Sequence, residues 1–219
     1  MIFDGSPGVA PMRKTPLDHV VHGEFSSAEF VDSVQREPVL YNRLRVNFIE
    51  NHDAARVSAV FPKEHRALFV LICTMPGVPV IHAGQEIGST VHPDASGGTK
   101  VLVDWSAADR DLQAFYKSVV RARATNHALE SGEIANVWKS GDNAVAFLRS
   151  AQGSRVLVAL NFGPRPVRFT VSVHATGPAT VRDELSGAEA RHSAANLDAL
   201  ELDLEPYGYR VLSIADARA

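Results

Sequence analysis

Two short blocks carry the side chains through which this sequence could do chemistry. The first is Phe48-Ile-Glu-Asn-His-Asp53, with Arg56 shortly after it; the second is Met75-Pro-Gly-Val-Pro-Val-Ile-His-Ala-Gly-Gln-Glu-Ile-Gly88. Each is a brief apolar run that ends in polar residues, the pattern of a buried strand whose carboxyl end opens onto a site. Carboxylates, an imidazole, amides and a guanidinium gathered at such ends can hold a polar ligand or move its protons. Asp53, His52, Asn51 and Arg56 are the candidates of the first block, and Gln85 and Glu86 those of the second.

Each of these residues also has a plainer reading. Asn51-His52-Asp53 suits a polar strand end in which Asn and Asp shape the turn. Gln85 and Glu86 look like a catalytic pair, yet Glu86 is expected to anchor the loop after its strand by bonding to backbone groups. Arg56 is either a substrate-side residue or a solvated arginine. His82, His92 and Asp94, taken with His52 and Asp53, suggest a metal site, but their spacing follows no standard ligand pattern and no metal is expected. Trp105 has a flat face fit to stack on a sugar ring; lying ahead of a helix, it is expected to plug a wall of the fold instead. Gly97-Gly98 reads as a loop hinge and not a phosphate cradle, and no cofactor is expected.

Composition narrows the field. A chain of 219 residues is long enough for one large domain or two modest ones with a real core. Its 45% hydrophobic and 21% charged residues place it among ordinary globular proteins. A net charge of -3 supplies no basic stripe for nucleic acid and no polybasic membrane anchor. No apolar run reaches the roughly 18 residues of a membrane span. The single Cys73 excludes an internal disulfide and a multi-cysteine zinc site; within Leu68-Phe-Val-Leu-Ile-Cys-Thr74 it reads as a small buried hydrophobe. Met1-Ile-Phe-Asp-Gly5 has neither the charged segment nor the apolar core of a signal peptide, so the expected location of the chain as written is cytoplasmic.

Two regimes of periodicity follow one another. From residue 1 to 128, short apolar strands alternate with helices. Residues 2–4 are the remnant of a barrel strand, followed by a loop-like stretch to Pro16. Ser26-Ser-Ala-Glu29 has capping-box spacing, Phe30, Val31 and Val34 share a helical face, and Pro38 limits that helix. Residues 45–49 and 78–82 read as strands. Pro62 suits the first turn of a helix over 63–75 that is apolar almost all round. Ser106-Ala-Ala-Asp109 is another capping box, and Leu112, Phe115, Tyr116, Val119 and Ala122 behind it mark a long amphipathic helix. After Asn126 the period becomes two: Val167, Phe169, Val171 and Val173 alternate with polar residues, as do Leu200, Leu202 and Leu204. Residues 143–148, 155–162 and 207–214 are further strands, separated by Gly- and Pro-bearing turns.

Eight strand–helix units of a closed barrel need roughly 250 residues, and residues 1–128 hold two complete units and a remnant. The expected fold is therefore α/β followed by all-β. Residues 1–128 are the carboxyl-terminal portion of a (β/α)8 TIM barrel, and residues 129–219 an antiparallel β-sandwich domain. Such a chain is part of a longer barrel enzyme or docks onto a separate chain carrying the rest. A partial sheet leaves an open edge. The helix over 63–75 is expected to keep apolar faces that nothing in this chain covers, which favours self-association.

Several blocks, in one order, resemble the α-amylase family (glycoside hydrolase family 13). Val46-Asn-Phe-Ile-Glu-Asn-His-Asp53 resembles its fourth conserved region at the end of barrel strand seven, and residues 76–88 resemble strand eight and its loop. Asp104-Trp105, Phe115-Tyr116 and Arg121-Ala-Arg123 are similar to the last barrel helix. Asn126-His-Ala-Leu-Glu-Ser-Gly132 is similar to the exit into the all-β C-domain, and Ala146-Phe-Leu-Arg149 and Val156-Leu-Val-Ala-Leu-Asn161 to its first strands.

The resemblance implies a glycosidase acting on an α-glucan or oligosaccharide, in carbohydrate metabolism. Retaining members set a nucleophile and a general acid about 5 Å apart across the glycosidic bond. A third carboxylate favours the distorted sugar ring; by resemblance that is Asp53, with His52 donating to the same sugar and Asn51 and Arg56 on the substrate side. Gln85 and Glu86 are structural residues near the site. The family's nucleophile sits in a Gly-x-Arg-x-Asp block and its acid is a Glu after strand five; neither stands upstream of Asp53. The isolated chain is thus expected to be inactive, a fragment or subunit whose missing barrel half is encoded upstream in the same gene or by a separate chain. Two other readings are a non-catalytic carbohydrate-binding or assembly module, and a small metal-dependent hydrolase using the His/Asp group.

Overall fold

The computed structural model describes residues 2–3, 26–36, 46–52, 54–91 and 102–216. Its first part runs β1 (Ile2–Phe3), α1 (Ser27–Arg36), β2 (Val46–Asn47), α2 (Val57–Val60), α3 (His65–Thr74), β3 (Val78–Pro79), α4 (Arg110–Thr125) and α5 (His127–Ser131), with 3-10 turns at Gln85–Ile87 and Trp105–Ala107. Then come β4 (Glu133–Ser140), β5 (Ala144–Ala151), β6 (Ser154–Asn161), β7 (Val167–Val171), β8 (Ala179–Asp183), β9 (Glu189–His192), α6 (Ala194–Asp198), β10 (Leu200–Leu204) and β11 (Tyr209–Asp216). No helix among the described residues is long and apolar enough to cross a membrane.

β2 and β3 pair in parallel, Val46 opposite Val78 and Asn47 opposite Pro79, with α3 as the crossover between them. That is the repeating unit of a barrel, although each ladder is shorter than the apolar run that announces it. β1 runs antiparallel to β2, with Ile2 opposite Asn47, where a barrel strand would run parallel. A strand edge offers its N–H and C=O groups to a neighbour of either direction.

The expectation of an uncovered helix is overturned. Residues Ala67 to Cys73 of α3 are each 0% exposed. Phe69 stacks on Tyr116 of α4 with ring centroids 3.5 Å apart, and Val156, Val158 and Leu160 of β6 belong to the same core. The β-domain therefore covers the face that would otherwise meet water, and Phe69→Ala would cost about 3–5 kcal/mol. Cys73 is buried here too, and burial pushes its thiol pKa up to about 12. Among the described residues, exposed apolar side chains lie on and just after the short parallel sheet, where Val46, Val78, Val80 and Ile81 are 37, 47, 41 and 38% exposed, and singly at Val60, Val91, Leu102, Trp105 and Val120.

Residues 133–216 form an antiparallel six-stranded sheet, ordered β4-β5-β6-β11-β8-β9, and a β10-β7 pair. Ala146, Leu148, Leu157 and Ala159 face Leu200, Leu202 and Leu204 in one core, while Val145, Phe147, Val156 and Val158 face α3 and α1 in the other. The large sheet is thus a middle layer, which is why Val156-Leu-Val-Ala-Leu160 reads as an unbroken apolar run. β10 and β7 cover only one face and alternate, as the sequence indicated.

The parts meet at the carboxyl end of α3, where backbone carbonyls need donors. Asn47 Nδ2 donates to the Pro76 carbonyl at 2.9 Å, Arg123 Nη1 to that of Cys73 at 2.8 Å, and Arg149 of β5 to those of Thr74 and Gly132. Two guanidinium groups there also oppose the negative end of the helix dipole. Burial, and then the nearby Arg123, lower the Arg149 pKa to about 9, so it stays charged at neutral pH. Gly132 is required at this joint, since a Cβ would lie 2.5 Å from the Ala128 carbonyl oxygen and 2.6 Å from that of Ser150.

Three local expectations need correction. Pro62 lies in the turn before α3, whose N-cap is Glu64. The Ser106 hydroxyl donates to Asp104 and its backbone N–H bonds there too, so the N-cap of α4 is Asp109, which accepts from the Leu112 N–H at 2.9 Å; a carboxylate at that position also meets the positive end of the helix dipole. Trp105 is 50% exposed and plugs no wall. The Ser26 cap stands: its Oγ accepts from the Glu29 N–H at 3.3 Å.

Candidate active site

The parallel register of β2 and β3 brings the turns after both strands to the same end of the sheet. After β2, Phe48 and Ile49 stay buried and so does Glu50, whose position at the strand end turns its carboxylate into a fixed acceptor. Glu50 Oε1 accepts from Arg56 Nη1 at 2.6 Å and Oε2 from the Val57 N–H at 2.7 Å. This ties off the intervening turn, on which Asn51 is half-buried and His52 exposed. Asp53 belongs to the same turn in sequence but lies outside the described residues, as do His92 and Asp94.

Arg56 is a buried residue, not a solvated one. Besides Glu50 it donates through Nε to the Val91 carbonyl and through Nη1 to that of Ala83, each at 3.0 Å. It thereby pins the turn after β2 to the loop after β3. A buried ion pair gives little net stability, because desolvation offsets attraction, but it fixes geometry. Here it fixes the spacing of the two strand exits.

After β3 the chain turns at Gly84, whose φ of +94° is open to glycine and strained for other residues. Glu86 folds back, its Oε2 accepting from the Gly84 N–H at 2.9 Å, the anchoring bond expected for it. Gln85 is fully buried behind the turn. It accepts from the His82 N–H at 3.3 Å and donates to Tyr116 Oη at 2.8 Å. The His82 imidazole is held below its ordinary pKa, first by burial, then by the Arg56 guanidinium, against the pull of Glu50 and Glu86; His52 also acts on it. It marks where residues of the two turns come within electrostatic reach of each other. Among the described residues no three His, Cys, Asp or Glu side chains gather as a metal site would need.

Glu50, His65 and Tyr116 were not among the sequence candidates. Glu50 sits inside the block quoted above, and its spacing to Arg56 was the available signal. Tyr116 reads in the sequence as an ordinary member of a helix face, and no spacing singles out His65.

The described residues place one parallel strand–helix–strand unit, with polar strand exits at one end, against an antiparallel β-domain. The family profile described as "Alpha amylase, catalytic domain" matches residues 21–144, and that of "Maltogenic Amylase, C-terminal domain" matches residues 136–211. The chain belongs to the α-amylase family of glycoside hydrolases. Among curated relatives, "Alpha-amylase 2" of Dictyoglomus thermophilum is 26% identical over 84% of this chain and 34% of its own length. "Neopullulanase 2" of Thermoactinomyces vulgaris is 25% identical over 91% of this chain and 35% of its own. The chain thus spans about a third of the length of these relatives. A maltogenic α-amylase from Thermotoga neapolitana superposes with a TM-score of 0.75 at 17% identity, over 91% of this chain and 48% of that one. The α-amylase of Geobacillus thermoleovorans, solved with acarbose, gives 0.75 at 18% identity, over 93% and 47%; both likenesses define the fold.

Proposed function

We propose that this chain supplies the strand-seven and strand-eight side of the active site of an enzyme that hydrolyses short α-glucans, linear or cyclic malto-oligosaccharides included. The observation that carries the reading is the parallel β2–β3 unit, which sets the turn carrying Asn51 and His52 beside the loop of Gln85 and Glu86. Relatives named cyclomaltodextrinase and neopullulanase, 23 and 25% identical over 93 and 91% of the chain, support the substrate class.

In this reading Asp53 grips the hydroxyls of the sugar at the cleavage point and favours its oxocarbenium-like distortion. His52 donates to the same sugar, and Asn51 shapes the turn that presents them. Arg56 serves by bracing, because the nitrogens seen to bond are spent on Glu50 and two carbonyls. Gln85 and Glu86 hold the loop. The nucleophile and general acid come from the other strand–helix units of the barrel, in the same gene product or a companion chain. That part would also cover Val46, Val78, Val80 and Ile81 and pair with the open edge.

A reducing-sugar assay tests this. The 219-residue chain alone should release nothing from starch, maltodextrin or a cyclodextrin. Produced together with a barrel half bearing a Gly-x-Arg-x-Asp block and a strand-end Glu, it should turn these substrates over, and Asp53→Asn should abolish the turnover. Hydrolysis by the chain alone that disappears in Asp53→Asn would overturn the division of labour.

A further inference from the structure

The two strand exits are joined a second time, behind the Glu50–Arg56 brace. Ser58, in α2 just after the first turn, has its Oγ 3.1 Å from His65 Nδ1. His65 Nε2 lies 2.6 Å from Tyr116 Oη, which also accepts from Gln85 Nε2 at 2.8 Å. Gln85 Oε1 ends the line on the His82 N–H at 3.3 Å. His65, Tyr116 and Gln85 are all buried. One file of hydrogen bonds therefore leaves the turn after β2, crosses α3 and α4, and arrives at the turn after β3.

Its direction follows from which atoms can donate. The His82 N–H needs an acceptor, which fixes the Gln85 amide with its oxygen toward His82 and its NH2 toward Tyr116. An amide nitrogen only donates, so the Tyr116 oxygen accepts there. Burial raises the Tyr116 pKa, keeping the phenol protonated. Its own hydrogen then requires an acceptor, and among the described residues His65 Nε2 is the one in reach. Nε2 must carry the lone pair, and Nδ1–H donates to Ser58 Oγ. The opposite tautomer would aim two donors at one hydroxyl and strand the phenolic hydrogen in a site closed to water.

We infer that Tyr116, with His65 held as the Nδ1–H tautomer, is a positioning residue that sets the turn carrying Gln85 and Glu86 against the turn carrying Asn51 and His52. Neither side chain is placed to touch substrate; both act through Gln85 and Ser58. The bearing of this line on glycoside hydrolysis rests on the function proposed above, whereas the line itself does not.

Imidazole nitrogen NMR and amide exchange on the full chain test it without any need for turnover. His65 should show a protonated Nδ1 and an unprotonated Nε2 at neutral pH. Tyr116→Phe keeps the ring on Phe69 and removes only the hydroxyl. It should release the tautomer preference and speed exchange at the His82 and Gly84 amides roughly tenfold, with the β6 amides unchanged. Ser58→Ala, at a half-buried position that tolerates the change, should give the same pattern from the far end. An Nε2–H tautomer in the parent, no change at His82 and Gly84 in either variant, or uniform acceleration across the chain would each overturn the inference. Because these readouts need no substrate, they stand or fall separately from the glucan reading.

Discussion

Glu50 Oε1 and Arg56 Nη1 stand 2.6 Å apart with both side chains closed off from water, and the turn between them is the one that carries the Asn-His-Asp motif. The pair therefore frames a turn whose tip is exposed at His52. The second carboxylate oxygen of Glu50 caps the start of α2, and the remaining bonds of Arg56 reach the loop after β3. A short strand can present its exit residues in a fixed place only if something stops the turn from sliding, and this closed ring of bonds does that.

Removing one partner leaves the other charge buried and unpaired. Arg56→Met is expected to lower stability by about 3–5 kcal/mol, read from urea denaturation. The double variant Glu50→Leu with Arg56→Met should recover part of that loss, since desolvation of both charges is then relieved. A single variant as stable as the parent would show that the pair is not closed to water in solution.

Arg149 should matter as much as a core leucine although no carboxylate among the described residues pairs with it. Arg149→Met would leave the Thr74 and Gly132 carbonyls without their donor, an expected loss of about 2–5 kcal/mol. Because those carbonyls belong to α3 and to the entry of β4, the loss should appear as earlier melting of residues 26–128 and the β-domain together. Separate melting of the two would contradict the joint described here.

His65 makes stability depend on pH in the acid range. Burial first, and then the charge of Arg66, lower its pKa from 6.5 to about 4, with Asp109 acting in the opposite sense. Between these values the unfolded chain binds a proton that the folded one refuses, so stability is complete above pH 6.5 and is lost as pH falls toward 4. The loss amounts to about 3 kcal/mol. Denaturation curves across that range should show the slope in the parent and not in His65→Gln; equal slopes in both would sink this assignment.

The self-association expected of the chain should come from the parallel sheet and not from α3. Val78→Lys and Ile81→Lys, both at exposed positions, should reduce hydrophobic-dye binding and the weight-average mass in sedimentation without lowering stability. Dye binding that persists in both would place the sticky surface elsewhere.

Local periodicity by itself determined much of this protein. The face of α4 formed by Leu112, Phe115, Tyr116, Val119 and Ala122 is the buried face, and the alternation of Leu200, Leu202 and Leu204 is a one-sided strand. These were legible because burial on one side of an element repeats with that element's own period. The order of strand, helix and strand, with the wording of the blocks at residues 46–53 and 76–88, also sufficed to mark the family. Tertiary structure decided what depends on residues distant in sequence. An apolar helix does not reveal what covers it, and α3 is sealed by α4 and β6. A lone arginine or histidine does not name its partner either. Arg149 finds Thr74 across 75 positions and His65 finds Tyr116 across 51. A polar side chain's hydrogen bonds are set by whatever backbone and side chains packing brings to it, and no period in the sequence carries that information.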